Sequence, residues 1–170
     1  MSYTTIMGVN PGVNAEYSLE LKNSWGSGPI IWDTLGKFYS GKRPSYTTYE
    51  EQTDLWELHL RDDVPNHHKA VLLMTYDHAY ILQKDYEQAA SDIEQFLLDF
   101  QVGENRVNHW PEIATFIRNS NYPAIGFYMT SCGDNLFEGE WNDEKEDYDN
   151  PDWGIFWSVY DHDALKEHTS

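Results

Sequence analysis

Between Tyr86 and Phe100 the apolar residues Tyr86, Ala89, Ala90, Ile93, Phe96, Leu97 and Phe100 recur at the i, i+3, i+4, i+7 spacing of an amphipathic helix. Glu87, Gln88, Ser91, Asp92, Glu94, Gln95 and Asp99 fill the intervening positions and mark a wet face. Other helices follow from weaker patterns and better punctuation. Pro29 suits a first helical turn, where its missing N–H would be unpaired anyway. Ile31, Leu35 and Phe38 then form a stripe widened by Ile30 and Trp32, and Gly41 is placed to close the helix in a left-handed cap, which predicts a helix over 29–40. Thr48 and Glu51 have the spacing of a capping box opening a helix that runs to about Leu60 and buries Tyr49, Trp56 and Leu60, before Asp62-Asp63-Val64-Pro65 stops it. Residues 67–82 contain the run VLLM, which alone could be strand or helix. The length and the preceding Asn66 predict a helix with Val71, Met74, His78 and Ile81 on one face, packed antiparallel to 86–100. Pro111 opens a further helix to about Asn119 with Trp110, Ile113, Ala114 and Ile117 inward.

Strand signals lie at the two ends of the chain. Residues 17–21 (YSLEL) alternate, with Tyr17, Leu19 and Leu21 on one side, while the Gly, Pro and Asn of 1–16 predict a loop or a loose arm. After Asn119-Ser120-Asn121, three short aromatic or β-branched segments, AIGFYMTS (124–131), NLFEGEW (135–141) and GIFWSVY (154–160), are separated by Gly, Asn, Asp and Pro. The resulting expectation is α+β in one domain spanning 1–170: a mainly helical body of about five helices closed by a small C-terminal antiparallel sheet of three to four strands. Alternation in GIFWSVY places large apolar groups on both faces of the last strand. Either both faces are covered or one is a partner surface.

Composition changes this picture mainly through charge. The 170 residues carry a formal net charge of −18, which opposes direct binding to nucleic-acid phosphates and to anionic membranes and favours a basic partner. The acidity is uneven. Residues 1–46 balance at +1, whereas in 131–170 twelve carboxylates face Lys145 and Lys166, a balance of −10. The longest near-apolar run, 70–74, falls far short of the roughly 20 residues that cross a bilayer. A single cysteine, Cys132, and an N-terminus without a signal-peptide pattern point to a reducing, cytoplasmic home.

The acidic stretch Glu138, Glu140, Asp143, Glu144, Glu146, Asp147, Asp149 and Asp152, followed by Trp153, is the strongest candidate binding surface. Read blandly it is a solvated loop. Read functionally it is a negative surface that docks on a basic one. It is not an EF-hand, because Asp147, Asp149, Asp152 and Gly154 miss the ligand spacing and Pro151 falls at the third ligand. His67-His68, Asp77-His78 and Asp161-His162-Asp163 are the clusters with metal-ligand chemistry, and none has a helical metal-pair spacing. The expectation is therefore no metal and no cofactor. Asp77 calls for a structural partner such as Arg61, Arg106 or Arg118. Nothing in the sequence pairs Cys132 with any of the seven histidines as a base, so it reads as a bland thiol, and no nucleotide-binding or serine-hydrolase motif is present.

Three functions are weighed. The first is an acidic interaction protein, an inhibitor or antidote of the phage or mobile-element kind that occupies a basic surface of a nucleic-acid-handling partner. The second is a metal- or His/Asp-dependent hydrolase assembled from distant segments, with Asp77, His78 or Cys132 in a pocket. The third is a structural or assembly subunit that buries its aromatic sheet face. The first leads because of the charge. No catalytic residues are assigned.

Overall fold

A computed structural model describes residues 3–22, 26–41, 54–102, 108–129 and 135–166. Strands β1 (Tyr3–Asn10) and β2 (Asn14–Lys22) form a hairpin, followed by helix α1 (Gly28–Ser40), helix α2 (Asn66–Met74) and strand β3 (Ala79–Leu82). Helix α3 (Tyr86–Phe100), helix α4 (Trp110–Asn119) and strand β4 (Ala124–Tyr128) come next. The two-residue strands β5 (Trp141–Asn142), β6 (Asp147–Tyr148) and β7 (Trp157–Ser158) and the short helix α5 (Asp163–Lys166) complete the order. One five-stranded sheet has the order β2-β1-β4-β3-β7, antiparallel except for the parallel β3–β7 pair, and β5–β6 make a separate hairpin.

The chain is α+β, but the expected layout is overturned. The sheet is built mainly from the N-terminal and middle parts of the chain, and only β7 comes from the C-terminal segment. Three corrections produce this result. The N-terminal residues form a hairpin rather than a loose arm. Ile6 packs into the helical core while Met7 and Val9 pack on the opposite face, so a strand buried on both sides shows no apolar alternation. Only Pro11–Val13 is the turn, with Gly12 at φ 82° and Val13 N–H donating to Asn10 O at 2.9 Å. Second, the helix expected over 67–82 stops at Met74. Thr75 closes it through its hydroxyl on Leu72 O, and after a turn Ala79 and Ile81 face the helices while Tyr80 and Leu82 face the other side. Pro65, not Asn66, stands at its N-cap. Third, 135–141 is a turn and irregular loop that reaches strand only at Trp141, and 154–160 is two 3-10 turns around a two-residue strand.

Helices α1 to α4 cover one face of the sheet. Helix α3 buries Tyr86, Ala89, Ala90, Ile93 and Phe96, with Leu97 and Phe100 at the margin, and α4 buries Trp110, Ile113, Ala114 and Ile117. Helix α1 ends at Gly41 with φ 75°, its N–H on Lys37 O. Phe38 departs from the expected stripe: it is 64% exposed and packs edge-on to Tyr39 and Phe100. Leu60 is likewise exposed, while Leu55 and Leu58 are the buried leucines of that segment; Thr48, Tyr49 and Glu51 lie outside the described residues. Asp92, placed on the wet face by its spacing, is buried and accepts hydrogen bonds from Tyr160 Oη at 2.6 Å and Gln88 at 2.8 Å.

The second face of the sheet is covered by a smaller aromatic layer. Phe137 and Phe156 pack on Met7, Val9 and Ala124, with Leu136 and Trp153 at the edge. Gly126 of β4 makes room for this layer: a Cβ there would lie 2.6 Å from Phe137 Cε1 and nearer still to Cζ. Aromatics that suggested strands are therefore the lid of the sheet.

Candidate functional site

Two groups of side chains stand out once the core is accounted for, one acidic and one rich in imidazole. The acidic group is the β5–β6 hairpin. Its stem is set by Gly139 N–H on Asp149 O and Asp149 N–H on Glu140 O. A side chain at Gly139 would overlap that strand's backbone, which is why glycine stands there. The tip is turned by Asn142, whose Oδ1 accepts from the N–H groups of Glu144 and Lys145, and by Glu146 in the left-handed region at φ 52°. Trp141 and Tyr148 sit across the pair, 54% and 48% exposed, in an edge-to-face contact with centroids 5.2 Å apart.

The predicted acidic residues divide by what they touch. Glu140, Asp143, Glu144, Glu146 and Asp147 are exposed along the hairpin. Asp143 accepts the Trp141 indole N–H at 2.9 Å. Asp149 is half-buried between Asn142 and Lys145, whose hydrogen bonds hold its carboxyl below the usual range. Glu138 lies at the hairpin base under the Tyr17 hydroxyl; burial first, and then the charge of Asp147, pushes its carboxyl up. Asp152 caps the following 3-10 turn through Gly154 N–H. Trp153 is turned away from this surface and packs on Phe156, its indole nitrogen buried without a partner among the described residues. The structure thus brings Glu140 through Asp149 together on the hairpin that carries Trp141 and Tyr148, and leaves Glu138, Asp152 and Trp153 in supporting positions.

The second group lies between α1, α2 and α3. Nε2 of His67 and Nε2 of His68 both meet Oδ2 of Asp99, the latter at 2.8 Å, while Asp99 Oδ1 accepts from Gln95 at 2.7 Å. The hydrogen bond from His67, with those from Gln95 and His68, holds the Asp99 carboxyl down to about 2 against an opposing push from burial. His68 is buried among Phe96 and Phe100, and its Nδ1 shares a 2.7 Å hydrogen bond with Tyr39 Oη. Burial, aided by His67, lowers the His68 imidazole below its ordinary value, and burial raises Tyr39. Arg61 lies over the Tyr39 ring at 5.5 Å with its guanidinium held by Asp63.

Other candidates have structural employment. Asp77 accepts Met129 N–H at 2.8 Å and so ties the turn before β3 to the end of β4; Arg61 and Arg118 are engaged by Asp63 and by Glu87 and Glu94. His78 is exposed, and its carbonyl accepts from Trp157 N–H. His162 packs against His59 and Trp157, and burial lowers both imidazoles. Cys132 and Arg106 lie outside the described residues. An open groove of about 570 Å³ runs along Thr115, Phe116 and Asn119 to Tyr122, with amides and hydroxyls as its polar groups. No described helix is long and apolar enough to cross a membrane.

Comparison with protein-family models, with curated proteins and with solved structures finds no match for the chain. The function must be argued from the chemistry of these two groups.

Two features escaped the sequence reading. Tyr148 is a large aromatic in an otherwise acidic loop, and its partner Trp141 reads from the sequence as the end of a sheet strand. The His67–His68–Asp99 convergence has no comparable signal, because Asp99 follows by more than thirty positions and reads as one more carboxylate on the wet face of α3.

Proposed function

We propose that this protein acts by docking its acidic hairpin on a basic surface of a partner protein, of the kind that nucleic-acid-handling proteins carry. The observation that carries this reading is the exposed Trp141–Tyr148 pair, with Asp143 on the Trp141 indole, on a hairpin whose Glu140, Glu144, Glu146 and Asp147 are exposed as well. An exposed aromatic pair on a stiff turn supplies the desolvated anchors that concentrate binding energy, and the carboxylates of the hairpin supply long-range attraction. The net charge of −18 extends that attraction well beyond the contact and slows approach to phosphate backbones. A hydrolase has less support, since the Asp77 carboxylate is taken up by a backbone N–H and His78 stands exposed on a turn.

The test separates the two parts of the hairpin. Affinity capture from the native cell at low and high salt identifies partners held by charge. With a partner in hand, neutralising Asp143, Glu144, Glu146, Asp147 and Asp149 together should slow association several-fold and flatten its salt dependence. Trp141→Ala should instead speed dissociation, raising Kd roughly 30-fold or more if the indole is an anchor worth about 2 kcal/mol. Unchanged kinetics in both variants would reduce the hairpin to a solubility feature.

A further inference from the structure

We infer that His67, His68 and Asp99 form a binding site for a divalent transition-metal ion of the zinc class. The inference is independent of the hairpin, which lies on other elements. One ligand atom from each of the three residues lies within 4.8 Å of the other two. Two adjacent imidazoles sharing a single carboxylate oxygen is an economical hydrogen-bond arrangement, but it is also the arrangement of a two-histidine, one-carboxylate ligand set without its ion.

Four details favour the second reading. First, Gln95 occupies Oδ1 of Asp99, so the carboxylate is oriented with Oδ2 toward both histidines. Second, Tyr39 Oη sits on Nδ1 of His68. With an ion on Nε2 the ring proton must be on Nδ1, and the hydroxyl oxygen can accept it, which is the outer partner a ligating histidine normally has. Third, the His68 ring is wedged against Phe96 and Phe100 at centroid distances of 5.5 and 4.7 Å, so its direction is fixed before any ion arrives. Fourth, the nearby cation Arg61 is held by Asp63 in a two-pronged bond rather than by Asp99.

An ion requires each imidazole nitrogen to part from Oδ2 and the two nitrogens, within 4.8 Å of each other, to close by up to about 1.4 Å. Ligand bonds of about 2.1 Å in a tetrahedron place ligand atoms about 3.4 Å apart. The 2.8 Å His68–Asp99 separation must therefore open by roughly half an ångström. Asp99 is the penultimate residue of α3, and its side chain is 30% exposed, so this movement is open to it. His67 is 25% exposed and His68 6%, which leaves the site open to solvent on the His67 side. Three protein ligands there leave a fourth position for water. Two imidazole nitrogens select zinc, cobalt or nickel over calcium and magnesium, which take oxygen ligands.

The experiment uses the full chain, stripped with a chelator and dialysed near neutral pH. Zn²⁺ titration by calorimetry should give one equivalent, and Co²⁺ should give the intense visible absorption of a four-coordinate centre. Asp99→Asn and His67→Gln, both at accessible positions, should each weaken Zn²⁺ binding on the order of 100-fold, and Tyr39→Phe roughly 10- to 100-fold. The five-fold hairpin variant should bind Zn²⁺ as the parent does. Absence of stoichiometric Zn²⁺ binding and of the cobalt band in the parent protein overturns the proposal without any variant. Equal binding by Asp99→Asn and His67→Gln, with their circular dichroism unchanged, overturns it by placing the ion elsewhere.

Discussion

Substituting Gly126 tests whether the aromatic layer is seated on the second face of the sheet. A methyl at this position in β4 would overlap the ring of Phe137, which is only 2% exposed and stacks on Phe156 at 4.5 Å. With the ring in place, Gly126→Ala forces it or the strand to move, and overpacking of this kind costs about 1–3 kcal/mol. Phe137→Ala alone removes a buried ring and should cost about 3–5 kcal/mol. In the double variant the obstacle is gone. There the new methyl should stabilise by about 0.5–1 kcal/mol, because alanine restricts the unfolded chain more than glycine does. The sign of the Gly126→Ala effect is thus expected to reverse, with a coupling energy of about 1.5–4 kcal/mol between the two sites. Urea unfolding followed by tryptophan fluorescence measures all four species, and unchanged m-values keep the comparison two-state. Phe137→Leu serves if Phe137→Ala leaves too little folded protein. A Gly126→Ala cost that is the same in both backgrounds, with a coupling below about 0.5 kcal/mol, would remove Phe137 from the face of β4 and refute the account of the second layer.

Alkaline stability offers a further check on the buried phenols. Burial raises Tyr86 to about 12, and Tyr76 and Tyr160 are raised too, chiefly by burial. The folded chain then holds these protons more tightly than the unfolded chain, so stability should be full below about pH 10 and fall as pH rises toward 12. Tyr86→Phe should remove about 1.4 kcal/mol per pH unit from that slope, read by denaturant titration at successive pH values; an unchanged slope contradicts the burial of the hydroxyl. Tyr160→Phe deprives buried Asp92 of its hydroxyl donor and should cost about 1–3 kcal/mol, whereas the same change at exposed Tyr148, which keeps its ring against Trp141, should cost less than about 0.5 kcal/mol.

How much of this was legible in the sequence depended on how many faces an element buries. Helices α1, α3 and α4 each bury one stripe, so period, proline and glycine located them closely. Strand β1 buries Ile6 on one side and Met7 and Val9 on the other. Its period is therefore flat, and Gly8 with Pro11-Gly12 suggested a loop. Gly8 is in fact a packing position, where the ring of Tyr122 occupies the space of a side chain. Ala79–Leu82 was absorbed into the apolar run of α2 because four residues are too few to establish a period of two. At the C-terminal end, large aromatics mimicked strands while acting as a cover over Gly126. The acidic surface was legible as a run of charge, but its aromatic tip was not, since the Trp141–Tyr148 contact needs the turn between them. The imidazole cluster lies where α2 meets α3, a packing the sequence suggests, but nothing local singles out Asp99 among the carboxylates of α3 or brings Tyr39 of α1 to His68.

The pairing of β1 with β4 sets the order in which the chain can fold. Ile6 lies opposite Phe127 and Val9 opposite Ala124, so β1 acquires its inner neighbour only after more than a hundred further residues exist. The β1–β2 hairpin can form early, but until β4 arrives it leaves one edge of β1 without a partner. The cost of closing that long loop falls early in folding, ahead of the contacts that repay it, which predicts slow folding for a chain of this length. A nascent chain halted before Ala124 would expose Met7 and Val9, whose cover of Phe137 and Phe156 comes later, and a second such chain could pair with the waiting edge of β1. The strand that looked like a loose arm is thus the part of the molecule most in need of its distant half.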